Sequence, residues 1–184
     1  MEDTRIFDEI NVFLKDEDET EALAKQFASL LTEIDSSTEI AMPGRHIYLR
    51  GDLGAGKTCF VRALLRACGV TGRIKSPSYA LLESYKVSNL YFYHLDFYRF
   101  SDPREWIDAG FRDILQENAV VLIEWPEQAG GLLPAPDVEI NLEYADHGRK
   151  ARITAYSNKG QSWLSKIILP GTALRPKDSP AGDS

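Results

Sequence analysis

Gly51-Asp52-Leu53-Gly54-Ala55-Gly56-Lys57-Thr58 meets every fixed position of the pattern G-x-x-x-x-G-K-[ST], whose chemistry is the grip of a polyphosphate. The glycines let the backbone curl with its N–H groups pointing inward, a shape that residues with a Cβ resist. Lys57 supplies a point charge for the β- and γ-phosphates, and the Thr58 hydroxyl is placed to ligate Mg²⁺. The residues expected to line a bound nucleotide are Asp52, Leu53, Gly54, Ala55, Gly56, Lys57, Thr58 and Cys59. The flanks support the motif. Residues 46–50 read as a short buried strand, while Phe60, Val61, Leu64, Leu65 and Cys68 recur at helical spacing. A loop between strand and helix aims the helix N-terminal N–H groups at the phosphates. The chain is expected to bind a nucleoside triphosphate.

Such a loop needs carboxylates at the carboxyl ends of neighbouring strands, where ligands of open α/β sheets sit. Glu124 closes the most apolar run of the chain and is the expected Mg²⁺ carboxylate, beside Thr58. Asp96 ends another apolar run; it would orient the attacking water or support the metal, or else cap the next loop or pair with Arg99. Lys57, Asp96 and Glu124 thus form the expected catalytic set. Ser76 and Ser78 either offer a hydroxyl to the γ-phosphate or simply turn the chain around Pro77. His94, with no second histidine at metal spacing, reads as a core or interface residue. The aromatic cluster of Tyr91, Phe92, Tyr93, Phe97, Tyr98 and Phe100 reads as core packing.

The elements that must hold these residues follow from pattern. A strand is predicted over residues 6–14, and Asp16 with Glu19 makes a capping box. Leu23, Ala24, Phe27, Leu30, Leu31 and Ile34 then keep the spacing of an amphipathic helix. Residues 35–39 and 42–44 read as loop, as do residues 75–79. Runs at 80–87 and 90–95 form a hairpin about Ser88-Asn89. Asp102-Pro103-Arg104-Glu105 opens a helix directed toward Leu115, with Gly110 as its weak point. Residues 119–123 form a strand buried on both faces. Residues 138–144 and 150–156 form a second hairpin, and Trp163, Leu164, Ile167, Ile168 and Leu169 keep helix-like spacing. The fold class expected is α/β: a three-layer nucleotide-binding fold with a mixed, mainly parallel sheet and antiparallel hairpin additions. A single domain is expected over residues 1–169, and the Pro-, Gly- and Ser-rich residues 170–184 read as a disordered tail.

The 184 residues suffice for one α/β core, and 43% hydrophobic with 27% charged residues is an ordinary globular composition. No apolar run reaches the roughly 18 residues of a membrane helix, and the acidic N-terminus lacks the plan of a signal peptide. Cys59 and Cys68 lack metal or C-x-x-C spacing and read as reduced core thiols, so a cytoplasmic location is expected. A net charge of −7 offers no counterion release on nucleic acid, so any such role would run through a partner.

Taken in order, GDLGAGKT, KSPSY, YHLDFYRF with SDPREW, and VLIEWPEQ leading to LLPAPDVEI resemble the bacterial TsaE family, also called YjeE. The resemblance runs over about residues 13–157, with Ser78 where that family usually carries Thr. It implies an ATPase required for N6-threonylcarbamoyladenosine at position 37 of tRNAs reading ANN codons. It further implies partnership with a TsaD–TsaB heterodimer, contact with tRNA only through that complex, and no membrane. By the same resemblance Thr58 and Glu124 match Mg²⁺ ligands and Asp96 matches the other essential acid, while Phe13 and Glu17 become adenine-side contacts. With no arginine finger but the candidate Arg99, turnover of the chain alone should be slow. Two alternatives stay open: a small-molecule kinase, and a binding module gated by ATP without required hydrolysis.

Overall fold

The computed structural model describes residues 5–33 and 44–168. Its strands are β1 (Asp8–Leu14), β2 (Arg45–Arg50), β3 (Leu82–Val87), β4 (Leu90–Asp96), β5 (Val120–Glu124), β6 (Val138–Ala145) and β7 (Gly148–Ala155). Its helices are α1 (Glu17–Thr32), α2 (Lys57–Ala67), α3 (Glu105–Asp108) and α4 (Asn158–Lys166). The strands form one sheet in the order β1-β7-β6-β2-β5-β4-β3. The ladders β6·β2, β2·β5 and β5·β4 are parallel. The outer ladders β1·β7, β7·β6 and β3·β4 are antiparallel.

This is the mixed α/β sheet that the patterns predict. Every residue of β5 is buried, which explains its unbroken apolar run: it sits mid-sheet with layers on both faces. On one face, α1, α2 and α4 cover Ile47, Leu49, Phe92, Val120, Leu122 and Ile140. Phe27 of α1 meets Phe60 of α2 edge-on at 6.0 Å, and burial of each such side chain contributes about 1.5–3 kcal/mol. The opposite face carries a thinner layer, where Phe97, Phe100, Trp106 and Leu115 cover Leu95, Val121 and Ile123.

The Asp16 side chain accepts from the Glu19 N–H at 3.0 Å and starts α1. Glu19 reaches back to the Lys15 N–H, one residue before the cap, at 2.8 Å. Three expectations need correction. The β1 strand begins at Asp8, not at residue 6. The β3 strand begins at Leu82 rather than residue 80, because a turn over 77–81 closes with the Leu81 N–H on the Pro77 carbonyl and leaves Leu81 at φ 65°. The helix directed toward Leu115 stops after one turn. Glu105 does cap the Ser101 and Asp102 N–H groups at 2.7 and 2.8 Å, but Gly110 takes φ 79° and diverts the chain into a separate 3₁₀ turn at Ile114–Gln116. Ile34, the loop expected over 35–39, residues 42 and 43 of the loop expected over 42–44, Leu169 and the tail expected over 170–184 lie outside the described residues.

Candidate functional site

The parallel strands place their carboxyl ends along one edge, and the site forms there. Asp96 and Glu124 are register partners on β4 and β5, and Leu49, one residue before the end of β2, pairs with Glu124. The glycine-rich loop over residues 51–58 leaves β2 at Gly51, whose φ of +134° and whose missing Cβ, 2.3 Å from the Leu142 carbonyl, require glycine. Gly56, at φ +107°, turns the chain into α2. The first-turn N–H groups of α2 therefore face the same edge as the two carboxylates.

Lys57 is 4% exposed, with Nζ donating to the Gly51 carbonyl and, at 2.9 Å, to the Asp52 carbonyl. The Trp125 ring lies 4.0 Å from Nζ, and burial lowers the affinity of this amine for its proton against the pull of Glu124, Glu127 and Asp96. The Thr58 hydroxyl lies 2.9 Å from each oxygen of Glu124, and Glu124 Oε1 lies 2.8 Å from His94 Nε2. Asp96 accepts from the Tyr98 N–H at 2.9 Å and from the Ser78 hydroxyl at 3.0 Å, which is itself 2.7 Å from Ser76 Oγ. Burial holds the Asp96 carboxyl above the usual carboxylate range; the Tyr98 N–H opposes this, and the nearby Glu124 reinforces it.

A second wall lies beyond Gly56, where Glu17, Thr20, Cys59 and Arg149 line a contiguous hollow. Cys59 Sγ donates to Glu17 at 2.9 Å, and burial together with that acceptor pushes the thiol up to about 11, leaving it inert as a nucleophile. Arg149 reaches across from β7 to the Ala55 carbonyl at 2.6 Å and the Gly54 carbonyl at 3.5 Å. Tyr144 adds a bond to the Leu53 carbonyl at 2.9 Å.

The cavity at the loop is lined by Leu53, Gly54, Gly56, Lys57, Thr58 and Cys59 together with Ser78, Asp96, Tyr98, Glu124 and Trp125. Glu17 joins the neighbouring hollow. Phe13 lines neither hollow and instead lies against Gly148, and Asp52 contributes its carbonyl to Lys57. Arg99 does not pair with Asp96; its guanidinium rests 4.3 Å over the Tyr79 ring. Ser78 lies in the turn that follows Pro77, as the turning reading expects, and its hydroxyl is directed to Asp96. Cys68 is a buried free thiol, but Cys59 faces the site rather than the core.

Four site residues escaped the sequence reading. Tyr98 is not core: its ring meets Trp125 at 5.0 Å on the cavity wall. Trp125 itself, directly after Glu124, takes φ 57° and thereby swings back over Lys57. His94 is buried, but against Glu124 rather than in apolar surroundings alone. Its period-2 spacing from Asp96 was the signal, since both then share the sheet face that meets α2. Arg149 had no local signal, because only the sheet order brings β7 to the loop.

Thr58 and Glu124 offer hard oxygen donors, which suit Mg²⁺. Among the described residues no group of three or more His, Cys, Asp or Glu forms a cage. Phosphate oxygens and water would complete the shell, the usual habit of this ion.

Residues 14–153 match the family profile described as threonylcarbamoyl adenosine biosynthesis protein TsaE. A Haemophilus influenzae protein named tRNA threonylcarbamoyladenosine biosynthesis protein TsaE is 37% identical over 153 residues, 83% of this chain and 94% of its own. Proteins of the same name from Rickettsia felis and Bacillus subtilis are 40% and 33% identical over 158 and 143 residues. These alignments cover 85% and 77% of this chain, and 85% and 83% of those relatives. The crystal structure of Bacillus subtilis YdiB superposes with a TM-score of 0.66 at 27% identity, covering 85% of this chain and 92% of that one.

Proposed function

This chain belongs to the TsaE family of threonylcarbamoyl adenosine biosynthesis proteins, and we propose that it serves that pathway as a Mg²⁺-dependent ATPase. The observation that carries this reading is the convergence of loop, hydroxyl and two carboxylates. Thr58 and Glu124 are in contact, and Asp96 stands beside Glu124 in register, at the carboxyl edge where the loop opens. Lys57 and the backbone N–H groups of α2 bind the phosphates. Thr58 and Glu124 would hold Mg²⁺, which would supply positive charge to the β- and γ-phosphate oxygens. Asp96, fixed by Tyr98 and Ser78, orients the attacking water and accepts its proton. Its raised proton affinity brings it closer to neutral pH, where a general base works best.

The products are ADP and phosphate. Arg99 is held on Tyr79 rather than in the cavity, which supports slow turnover by the chain alone and stimulation by a partner. That partner, on the family resemblance, is a TsaD–TsaB pair, through which the acidic chain would act on tRNA without binding it directly. Of the described residues, no helix is long and apolar enough to cross a membrane. Phosphate release from ATP, measured with and without TsaD–TsaB, tests the reading, together with nucleoside analysis of tRNA after depletion of the protein. No hydrolysis in either condition, or unchanged tRNA modification, would overturn it.

A further inference from the structure

His94 is fully buried on β4, one of the four residues Leu90, Phe92, His94 and Asp96 that alternate onto the face meeting α2. Phe92 is core on that face, and so is Leu122, the register partner of His94. An apolar residue would fill the position at lower cost, because the imidazole makes a single hydrogen bond there. Nε2 lies 2.8 Å from Glu124 Oε1, and among the described residues Nδ1 has no hydrogen-bond partner. Facing a carboxylate, Nε2 must be the donor.

Thr58 Oγ1 lies equally close to both Glu124 oxygens, yet it carries one proton. The single proton of this hydroxyl therefore satisfies only one carboxylate oxygen at a time. The His94 N–H, coming from the neighbouring strand, fixes one oxygen and with it the carboxylate plane.

We propose that His94 is a positioning residue, whose Nε2–H holds the Glu124 carboxylate in the orientation in which Glu124 and Thr58 together receive Mg²⁺. This rests on the Mg²⁺-dependent reading above. Partners that orient metal-binding carboxylates are commonly worth about 10–100-fold in metal affinity.

The test is calorimetric titration of the full chain with a non-hydrolysable ATP analogue, across a Mg²⁺ series and in EDTA. His94→Phe should raise the Mg²⁺ midpoint about 10–100-fold while leaving the affinity in EDTA unchanged. His94→Gln, whose amide nitrogen reaches as far along the side chain as Nε2, should stay close to wild type. His94→Asn, one methylene shorter, should behave like His94→Phe. Gln and Asn both bury an amide, so a merely structural role would not separate them, and this pair decides the matter if His94→Phe fails to fold. An unchanged midpoint in His94→Phe, or equal losses in the Gln and Asn variants, would overturn the proposal. A wild-type chain that binds the analogue with no Mg²⁺ effect would instead overturn the metal reading, and with it this proposal.

Discussion

Asp96→Asn should stabilise the fold and slow hydrolysis in the same molecule. Asp96 is 4% exposed, and burial is the largest influence on its carboxyl, raising it against the pull of the Tyr98 N–H. Glu124 adds to the rise, while Ser78 and His94 oppose it. A raised value in the folded chain means that its surroundings favour the uncharged form more than water does. That preference contributes its full stability below the unfolded carboxylate value and is lost as pH rises through the raised folded value. At neutral pH the native chain therefore carries a deficit that the neutral isostere lacks. Each pH unit of such a preference is worth about 1.4 kcal/mol. A gain on the order of 1 kcal/mol would lift Tm by about 2–4 °C in a domain of this size. The amide can still accept from the Tyr98 N–H and donate to Ser78, so packing is kept. Turnover should fall by about 10²-fold or more, the usual worth of a positioned base. ATP affinity should change little, because water is positioned mainly in the transition state. Scanning calorimetry without nucleotide in EDTA, at pH 5 and pH 8, gives the first quantity, and single-turnover phosphate release gives the second. The Tm advantage should shrink at the lower pH. A lower Tm at pH 8 would refute the electrostatic reasoning, and undiminished turnover would refute the role given to Asp96.

Lys57→Ala should weaken ATP binding by about 10–100-fold, the worth of a charged hydrogen bond to phosphate, with the circular dichroism spectrum retained. Unchanged affinity by calorimetry would place the nucleotide elsewhere. Arg149→Ala frees the Ala55 and Gly54 carbonyls that shape the loop, and should lower ATP affinity by roughly tenfold, about 1.4 kcal/mol. Equal affinity would make the β7 contact incidental. Trp106→Ala removes the largest side chain of the thinner layer, buried to 1% exposure, and should cost about 3–5 kcal/mol. A fall in Tm of less than about 5 °C would show that this layer adds little to the core.

Features whose signals are short-range are legible from the order of residues alone. The loop over residues 51–58 depends on glycines and a lysine within one turn of chain, and β5 declares its burial by an unbroken apolar run. The caps at Asp16 and Glu105, both hairpins and the strand ends at Asp96 and Glu124 are also local, because propensity and periodicity act over neighbouring residues. Stopping points were less legible: Leu81 and Gly110 end elements through backbone angles that apolar spacing does not encode.

Which distant groups meet depends on how the strands assemble. Sheet order sets Asp96 beside Glu124, lays His94 against the Glu124 carboxylate and carries Arg149 from the last strand to the loop's carbonyls. The turn at Trp125 returns an aromatic ring over Lys57, and Tyr98 leaves the expected core to meet that ring. These contacts join residues up to 95 positions apart, as in Arg149 with Gly54. Their physical cause is the pairing of strands across the sheet, a long-range choice that no window of neighbouring residues contains.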